Sequence, residues 1–266
     1  MAKQPANLEL LAVEGAGNRF LLLDGLGGPV PDNPGGLAMA LCRQGTGSSF
    51  RPDGLLVLSR PAGAGQQAQV RMVLYNADGS RPEACGNGLR CIARVAMDRG
   101  YASGPQFSVQ TDAGMRQVRV EGDLVTVEMG AATIVEQALE IETQGVHVRG
   151  TLVSMGNPHF VLESGPWKDA DVARLGSGLT SHVAFESGAN IGFPTVRDDG
   201  TIDLRVHERG VGETQACGTG ACAAAACHGW PSGMLRRIVH LPGGDLGVQR
   251  DERGVLWLDG PVSLGK

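Results

Sequence analysis

The sequence predicts an α+β protein made of two similar domains, and three observations lead to that fold class. The motif Ala-Cys-Gly-x-Gly occurs at residues 84–88 and 216–220, and each copy precedes a run of small residues typical of a helix. Its cysteines, Cys85 and Cys217, are 132 positions apart (217 − 85) in a chain of 266 residues. Short strand-like stretches, separated by Gly, Pro and Asp, surround both copies. This spacing indicates a duplicated domain, and the chain is long enough for two hydrophobic cores.

The strand-like stretches follow the same order in both halves. In the first half they are RFLLLDG, GLLVLSR, QVRMVLYNADG and QFSVQTDAGMRQVRVEGDLVTVEMG. In the second half they are GVHVRGTLVSMGNPHFVL, ANIGFPTVRDDGTIDLRVHERG and IVHLPGGDLGVQRDERGVLWLDG. We therefore expect an N-terminal domain over residues 1–129 and a C-terminal domain over 130–255. A last strand within 256–266 is expected to return to the first domain.

Composition and charge narrow the class of partner. The net charge is −5 without a run of like charges, which argues against nucleic acid and anionic membranes as partners. The apolar run ACAAAAC is too short and too weakly hydrophobic to span a bilayer. The N-terminus MAKQPANLELL lacks the basic-then-apolar pattern of a signal peptide. We expect a cytoplasmic protein that acts on a small molecule.

The residue types also argue against several cofactors. Six cysteines in a chain of this kind are expected to be free thiols, and they form no Cys-x-x-Cys or other zinc-ligand spacing. A pyridoxal-phosphate enzyme needs an internal Schiff-base lysine. The three lysines are Lys3, Lys168 and Lys266, and only Lys168 lies away from the chain ends, in a polar context. The sequence therefore predicts an activity without cofactor or metal.

A cysteine at the start of a helix has a chemical use. The first turn presents unpaired backbone N–H groups and a partial positive charge. Glycines at the turn let a ligand carboxylate approach these donors, and the same field favours a thiolate. Two such sites suit the inversion of an amino-acid α-carbon, because one thiolate can remove the α-proton while the other thiol returns a proton to the opposite face. The helix donors would stabilise the negative charge that develops on the carboxylate.

Some of these motifs also have a structural interpretation. A single cysteine in an alanine-rich helix is usually a small buried residue, and we assign no function to Cys42, Cys91, Cys222 or Cys227. The segment GTGACA resembles part of a dinucleotide-binding fingerprint, but the following segment PSGMLRRIVHLPGGD supplies no clear acidic residue at a strand end. The occurrence of the cysteine motif in both halves favours the catalytic interpretation.

The sequence also resembles the diaminopimelate epimerase family. The matching segments, in order along nearly the whole chain, are GAGNRF, NADGS with ACGNGLRC, SMGNPHF, ANIGF, ERGVGETQACGTGACAA and LPGGDL. The resemblance implies two domains, each with a mixed sheet wrapped around a central helix, and an active site in the cleft between them. It implies conversion of LL-diaminopimelate to the meso form on the route to lysine and peptidoglycan. It further implies a homodimer.

The resemblance also implies roles for individual residues. Cys85 and Cys217 match the two catalytic cysteines, and His159 matches a position near them that would tune their protonation. Substrate-binding positions match Asn18, Asn76, Gly86, Asn87, Asn157, Asn190, Glu208, Arg209, Gly218 and Thr219. Taken singly, Asn76 could be a turn residue, Asn157 a loop residue, Glu208 and Arg209 a surface pair, and His159 a structural histidine.

Three departures from the family pattern affect the expected substrate entrance. The family usually has His and Asp where this chain has Glu14 and Arg19, and Arg81-Pro82 replaces an acidic and an apolar residue. The segment 45–54 is longer than the usual turn. Two alternatives to the epimerase remain open: another two-cysteine amino-acid racemase, and a thiol redox or ligand-binding protein without this activity.

Overall fold

The computed structural model describes residues 8–44, 50–63, 67–82, 85–230 and 234–265. The first elements are β1 (Leu10–Gly15), β2 (Asn18–Asp24), α1 (Pro34–Gln44), β3 (Gly54–Ser59), β4 (Val70–Asn76), α2 (Gly86–Asp98), β5 (Gln106–Thr111), β6 (Gly114–Glu121) and β7 (Leu124–Ala131). They are followed by β8 (Thr133–Thr143), β9 (Val146–Ser154), β10 (Pro158–Leu162), α3 (Asp169–Thr180), β11 (Asn190–Val196), β12 (Ile202–Glu208), β13 (Gly212–Thr214) and α4 (Gly218–Cys227). The last strands are β14 (Arg236–Leu241), β15 (Gly244–Arg250), β16 (Val255–Pro261) and β17 (Ser263–Leu264).

The chain divides into two compact units. The first contains the residues up to Val127 and those from Gly260 onward, and the second contains Glu128–Asp259. In the first unit, antiparallel pairs join β1 to β2, β3 to β4, β5 to β6 and β6 to β7. Parallel pairs join β2 to β3 and β4 to β5. The short strand β17 adds to β1.

The second unit repeats this topology strand for strand. Antiparallel pairs join β9 to β10, β11 to β12, β14 to β15 and β15 to β16, and parallel pairs join β10 to β11 and β12 to β14. The pairing of β8 with β9 corresponds to that of β17 with β1, although β8 is longer, and the hairpin strand β13, which pairs with β12, distinguishes the second unit. The same sequence of pairings confirms the predicted α+β fold of two similar domains.

A helix lies inside the sheet of each unit. The α2 helix contacts β1, β2, β3, β4 and β6, while α4 contacts β9, β10, β11, β12, β14 and β15. Most residues of both helices are buried. Because α1 covers the opposite face of β3, that strand is buried on both faces and consists of the apolar run GLLVL before Ser59. Each sheet therefore wraps around the helix that begins with the Cys-Gly-x-Gly motif.

The α1 and α3 helices were not predicted from the sequence. Two parallel strands cannot be joined by a hairpin, so the β2–β3 and β10–β11 pairs each need a crossover connection. The α1 and α3 helices provide these connections. In α3, Val172, Leu175 and Leu179 pack into the same buried cluster as Phe160 and Phe193. Burial of this apolar face stabilises α3 although its sequence contains two glycines.

All six cysteines are free thiols, as predicted. Cys91 and Cys222 are buried along α2 and α4, where they pack as small apolar residues. No helix in the described ranges is long and apolar enough to cross a membrane.

Arg237 in β14 is a buried cation whose removal is expected to stabilise the protein. Arg237 is 2% exposed, and within the described ranges its Nε and Nη1 atoms have no hydrogen-bond partner. Burial accordingly lowers the pKa of Arg237. Since unsatisfied buried donors are unfavourable, Arg237→Met should raise the free energy of unfolding by about 1–3 kcal/mol, measured by urea denaturation.

The neighbouring arginine supplies the control. Arg236 donates from Nε and Nη2 to the fully buried Asp259 at 2.8 and 2.5 Å. Arg236→Met should lower the free energy of unfolding, because Asp259 would keep only the bond from Gln249 Nε2 at 3.0 Å among its described side-chain contacts. Equal destabilisation by both substitutions would contradict the interpretation of Arg237.

Candidate active site

Cys85 caps the N-terminus of α2. Its backbone is extended (φ −151°, ψ 107°), and its sulfur accepts a hydrogen bond from the Gly88 N–H at 3.3 Å. The Cys85 carbonyl accepts from Leu89 N at 2.9 Å. Helix geometry leaves the N–H groups of Gly86 and Asn87 without an intrahelical acceptor. The helix start thus presents a half-buried thiol beside two backbone donors.

Cys217 caps α4 with nearly the same geometry. Its φ and ψ angles are −130° and 106°, its sulfur accepts from Gly220 N at 3.4 Å, and its carbonyl accepts from Ala221 N at 2.9 Å. The N–H groups of Gly218 and Thr219 correspond to those of Gly86 and Asn87. The Thr219 hydroxyl is a further neighbour, 3.5 Å from the Cys217 sulfur.

The second glycine of each motif is explained by close packing. A Cβ atom at Gly88 would lie 2.9 Å from Leu56 Cδ2 in β3, and one at Gly220 would lie 3.0 Å from Val206 Cγ2 in β12. Each would also lie within 3.5 Å of the cysteine sulfur. Glycine at this position therefore allows the first turn of each helix, together with the cysteine, to pack closely against a central strand.

Burial and a carboxylate raise the pKa of Cys217. The residue is 5% exposed, and loss of hydration is the largest cause. The second cause is the negative charge of the neighbouring Glu208. The Thr219 hydroxyl and the Gly220 N–H favour the thiolate but do not outweigh these effects. The N–H at the helix start thus favours the thiolate, as expected, but the net effect of these groups is a raised pKa, which favours the thiol form of Cys217.

Glu208 is held in place next to this thiol. Thr214 donates its hydroxyl to Glu208 Oε1 at 2.6 Å across the β12–β13 hairpin. Burial raises the pKa of Glu208, and the hydrogen bond from Thr214 partly opposes that effect. The Glu208 carboxylate is thus held near the start of α4, where its charge acts on the Cys217 thiol.

The remaining predicted residues of the second unit form a connected polar group. His159 Nε2 lies 3.1 Å from Asn157 Oδ1, and His159 is the β10 partner of Asn190 in β11. Asn190 Oδ1 accepts from the backbone N–H of Arg209 at 2.9 Å, and the Arg209 guanidinium donates through Nη1 to the Ser187 carbonyl. Burial lowers the pKa of His159 to about 4, so its imidazole is neutral near pH 7.

In the first unit, two of the predicted residues meet directly. Asn87 Nδ2 donates to Asn18 Oδ1 at 2.5 Å, joining the start of β2 to the first turn of α2. Asn76 belongs to a turn: its Nδ2 donates to Ser80 Oγ at 3.0 Å, and its backbone N–H donates to the Ser80 carbonyl at 2.9 Å. The described hydrogen bonds do not join Asn76 to Asn18, Asn87 or Cys85.

The departures from the family pattern form ion pairs. Arg19 Nε lies 3.1 Å from Glu14 Oε2 across the β1–β2 hairpin, where the two residues are register partners. Arg81 donates from Nε and Nη2 to Asp112 at 2.5 and 2.7 Å, and Asp112 also accepts from Arg71 at 3.2 Å. Residues 45–49 of the expanded segment lie outside the described residues, whereas Phe50–Gly54 lead into β3.

Sequence reasoning missed two supporting residues. Thr214, within the GVGETQACG stretch, orients Glu208. Asp53 lies directly before β3 and accepts from the Arg19 N–H at 2.8 Å. The sequence signal for Asp53 was its position in a Pro-Asp-Gly turn, which indicates a turn and no particular partner. In the described ranges, no three His, Cys, Asp or Glu side chains are grouped as metal ligands would be.

Solved structures define the class of fold. A phenazine biosynthesis protein of the PhzF family from Bacillus anthracis matches with a TM-score of 0.71 at 16% identity, over 97% of each chain. A hydroxyproline epimerase from Agrobacterium vitis matches with a TM-score of 0.68 at 15% identity, over 97% of this chain and 89% of that chain. The chain therefore has the duplicated two-domain fold of these proteins.

Sequence similarity identifies the family within that fold. The diaminopimelate epimerase family model matches residues 11–135 and 151–264. Diaminopimelate epimerases from Desulforudis audaxviator and Pseudomonas fluorescens are both 38% identical to this chain. The first match covers 96% of both sequences and the second 91% of both. The chain belongs to the diaminopimelate epimerase family.

Proposed function

We propose that this protein epimerises LL-2,6-diaminopimelate to meso-diaminopimelate with Cys85 and Cys217 as the two acid–base groups. The observation that carries the proposal is the repeated helix cap: each cysteine begins a helix with matching backbone angles and accepts the N–H three residues later. Similarity to diaminopimelate epimerases over nearly the whole chain supports the choice of substrate.

The proposed reaction inverts one α-carbon by two proton transfers. One sulfur, as thiolate, takes the α-proton, and the C–H electrons pass into the carboxylate to give an enediolate-like transition state. The other sulfur, as thiol, delivers its proton to the opposite face and becomes the thiolate. The N–H groups of Gly86, Asn87, Gly218 and Thr219 stabilise the charge that develops on the carboxylate oxygens.

The protonation of Cys217 suits the proton donor of this reaction. Burial and the neighbouring Glu208 charge keep it as a thiol. For the reverse direction, Glu208 is the neighbouring carboxylate that can accept the thiol proton. Glu208 thereby acquires a role in proton transfer beside the substrate-binding role that the family resemblance implies. Neutral His159 supports the site through its contact with Asn157.

The second amino-acid head of the substrate needs its own partners. We assign its carboxylate to Arg209, Asn157 and Asn190, which form part of the connected polar group in the second unit. A guanidinium and amide N–H groups are suitable donors for a carboxylate. We assign Asn18 and Asn76 to substrate binding in the first unit.

The proposal requires no cofactor. Neither a metal nor pyridoxal phosphate takes part in the two proton transfers. We further propose that the enzyme works in the cytoplasm, as a homodimer, on the route to lysine and peptidoglycan precursors.

Solvent-deuterium incorporation tests the proposed function. In D₂O, the protein should convert LL-diaminopimelate to the meso form and introduce deuterium at the inverted α-carbon. Mass spectrometry measures the deuterium, and chiral chromatography measures the meso product. The rate should not change with a chelator or added pyridoxal phosphate. Binding without deuterium uptake would indicate a ligand-binding protein, and inversion of a different amino acid would indicate another two-cysteine racemase.

A further inference from the structure

Asp53 lies next to Asn18, one of the residues assigned to substrate binding. Its Oδ2 accepts from the Arg19 backbone N–H at 2.8 Å, and Asn18 Nδ2 lies 3.5 Å from the same oxygen. The Asp53 N–H donates to the Arg19 carbonyl at 2.7 Å. Asp53 is therefore fixed to the start of β2 by two short bonds, one accepted by its carboxylate and one donated by its backbone N–H, and the Asn18 side chain lies near the carboxylate.

The contacts on both sides of the Asn18 amide determine its orientation. A side-chain amide has a donor end and an acceptor end, and its neighbours decide which end faces which way. An ionised carboxylate only accepts hydrogen bonds, so Asp53 repels the carbonyl end and attracts the NH₂ end. On the other side, Asn87 Nδ2 donates to Asn18 Oδ1 at 2.5 Å. The carboxylate of Asp53 thus selects the orientation of Asn18, and the contact with Asn87 is consistent with it.

We propose that Asp53 is a positioning residue that makes Asn18 present an N–H group, and not its carbonyl, to a substrate carboxylate. This inference rests on the proposed function. The Asn18 NH₂ group has two hydrogens, and Asp53 attracts one of them, so the other is available to an anionic ligand. In the flipped orientation the carbonyl oxygen would face the ligand and repel it.

The same contact chain extends to the helix that begins at Cys85. Asn87 is 2% exposed and lies in the first turn of α2. Because its Nδ2 is engaged by Asn18 Oδ1, the amide orientation of Asn87 depends on that of Asn18. Asp53 therefore sets the orientation of two successive amides, although its own carboxylate is not assigned to the substrate.

Substitution of Asp53 separates the role of its oxygen from that of its charge. Asp53→Ala removes the acceptor and should weaken diaminopimelate binding about tenfold, seen as a higher KM with a smaller change in kcat. Asp53→Asn can keep an oxygen toward both N–H groups and should retain most of the affinity. Asp199→Ala is the matched control, since Asp199 also accepts two hydrogen bonds in a turn, from Thr201 N and Oγ1, but lies in the other unit.

A double-mutant cycle with Asn18→Ala distinguishes positioning from general support of β2. If Asp53 acts through Asn18, Asp53→Ala should cost about tenfold in the wild-type background and less than about twofold in the Asn18→Ala background. Binding is measured by calorimetry beside turnover, with unfolding curves for each variant. The same tenfold loss in both backgrounds, or no loss in the wild-type background, would overturn the positioning role.

The wild-type protein distinguishes failure of this inference from failure of the proposed function. Absence of diaminopimelate epimerisation and binding in the wild type would reject the proposed function. Normal wild-type activity with additive effects in the cycle would reject only the role of Asp53.

Discussion

Serine at position 85 or 217 is expected to abolish epimerisation and to leave substrate binding largely unchanged. A serine hydroxyl is close in size to a thiol but far less acidic, so it cannot exchange the α-proton at a useful rate. Loss of one acid–base group should lower kcat by about 10²–10⁴-fold. The helix N–H donors and the side chains assigned to the second amino-acid head remain in both variants, and the affinity should therefore stay within a few-fold.

Parallel turnover and calorimetric binding assays check this result. Cys227→Ser is the matched control, because Cys227 lies at the opposite end of α4 from Cys217. Cys227 is a partly buried free thiol, as Cys85 is, and burial raises its pKa to about 12. The Cys227→Ser variant should retain wild-type turnover. Substantial epimerisation by either Cys85→Ser or Cys217→Ser would rule out the two-thiol mechanism, and loss of binding would place that thiol in substrate recognition instead.

The central helices were predictable from local sequence, whereas the crossover helices were not. The α2 and α4 helices begin immediately after the Cys-Gly-x-Gly cysteines, and their small residues fit inside a sheet. The α1 helix begins Pro-Gly-Gly, and α3 contains Gly176 and Gly178. Glycine disfavours helix locally, but a Cβ at Gly176 would lie 2.6 Å from the His207 ring. Tertiary packing thus requires glycine at position 176, although glycine makes the helix difficult to predict from the sequence.

The electrostatics of the site depended on contacts between distant parts of the chain. The helix start at Cys217 correctly indicated N–H donors to the sulfur. It could not indicate that the charge of Glu208 would act on the same thiol, or that burial would outweigh the helix field. Asn18 and Asn87 likewise meet although 69 positions separate them. Residue types and motif spacing therefore predicted the candidate site, while its protonation required the folded structure.

Arg209 should determine whether the second carboxylate of the substrate is recognised. In the described ranges its guanidinium donates through Nη1 to Ser187, and its Nε and Nη2 atoms form an edge suited to a carboxylate. Arg209→Lys should weaken binding of diaminopimelate, because an ammonium cannot donate two parallel hydrogen bonds. Lysine, which lacks the second carboxylate, should be a very poor substrate for the same reason.

The exposure of Arg209 sets the size of this effect. A buried guanidinium left without its charged partner costs about 2–5 kcal/mol. Arg209 is exposed in the structure, so water can hydrate it in place of a ligand. We therefore expect the lower end of that range, about thirtyfold in affinity.

The measurement compares binding and turnover of diaminopimelate and lysine by the wild type and by Arg209→Lys. Arg197→Lys is the control, since Arg197 is a half-exposed arginine paired with Asp203 at 2.6 and 2.8 Å. Unlike the cysteine variants, Arg209→Lys should lose affinity while keeping the ability to exchange the α-proton at saturating substrate. Normal binding by Arg209→Lys, or inversion of lysine as fast as diaminopimelate, would make the assignment of the second head wrong. A two-cysteine amino-acid racemase with a broader substrate specificity would then account better for the two matched helix caps.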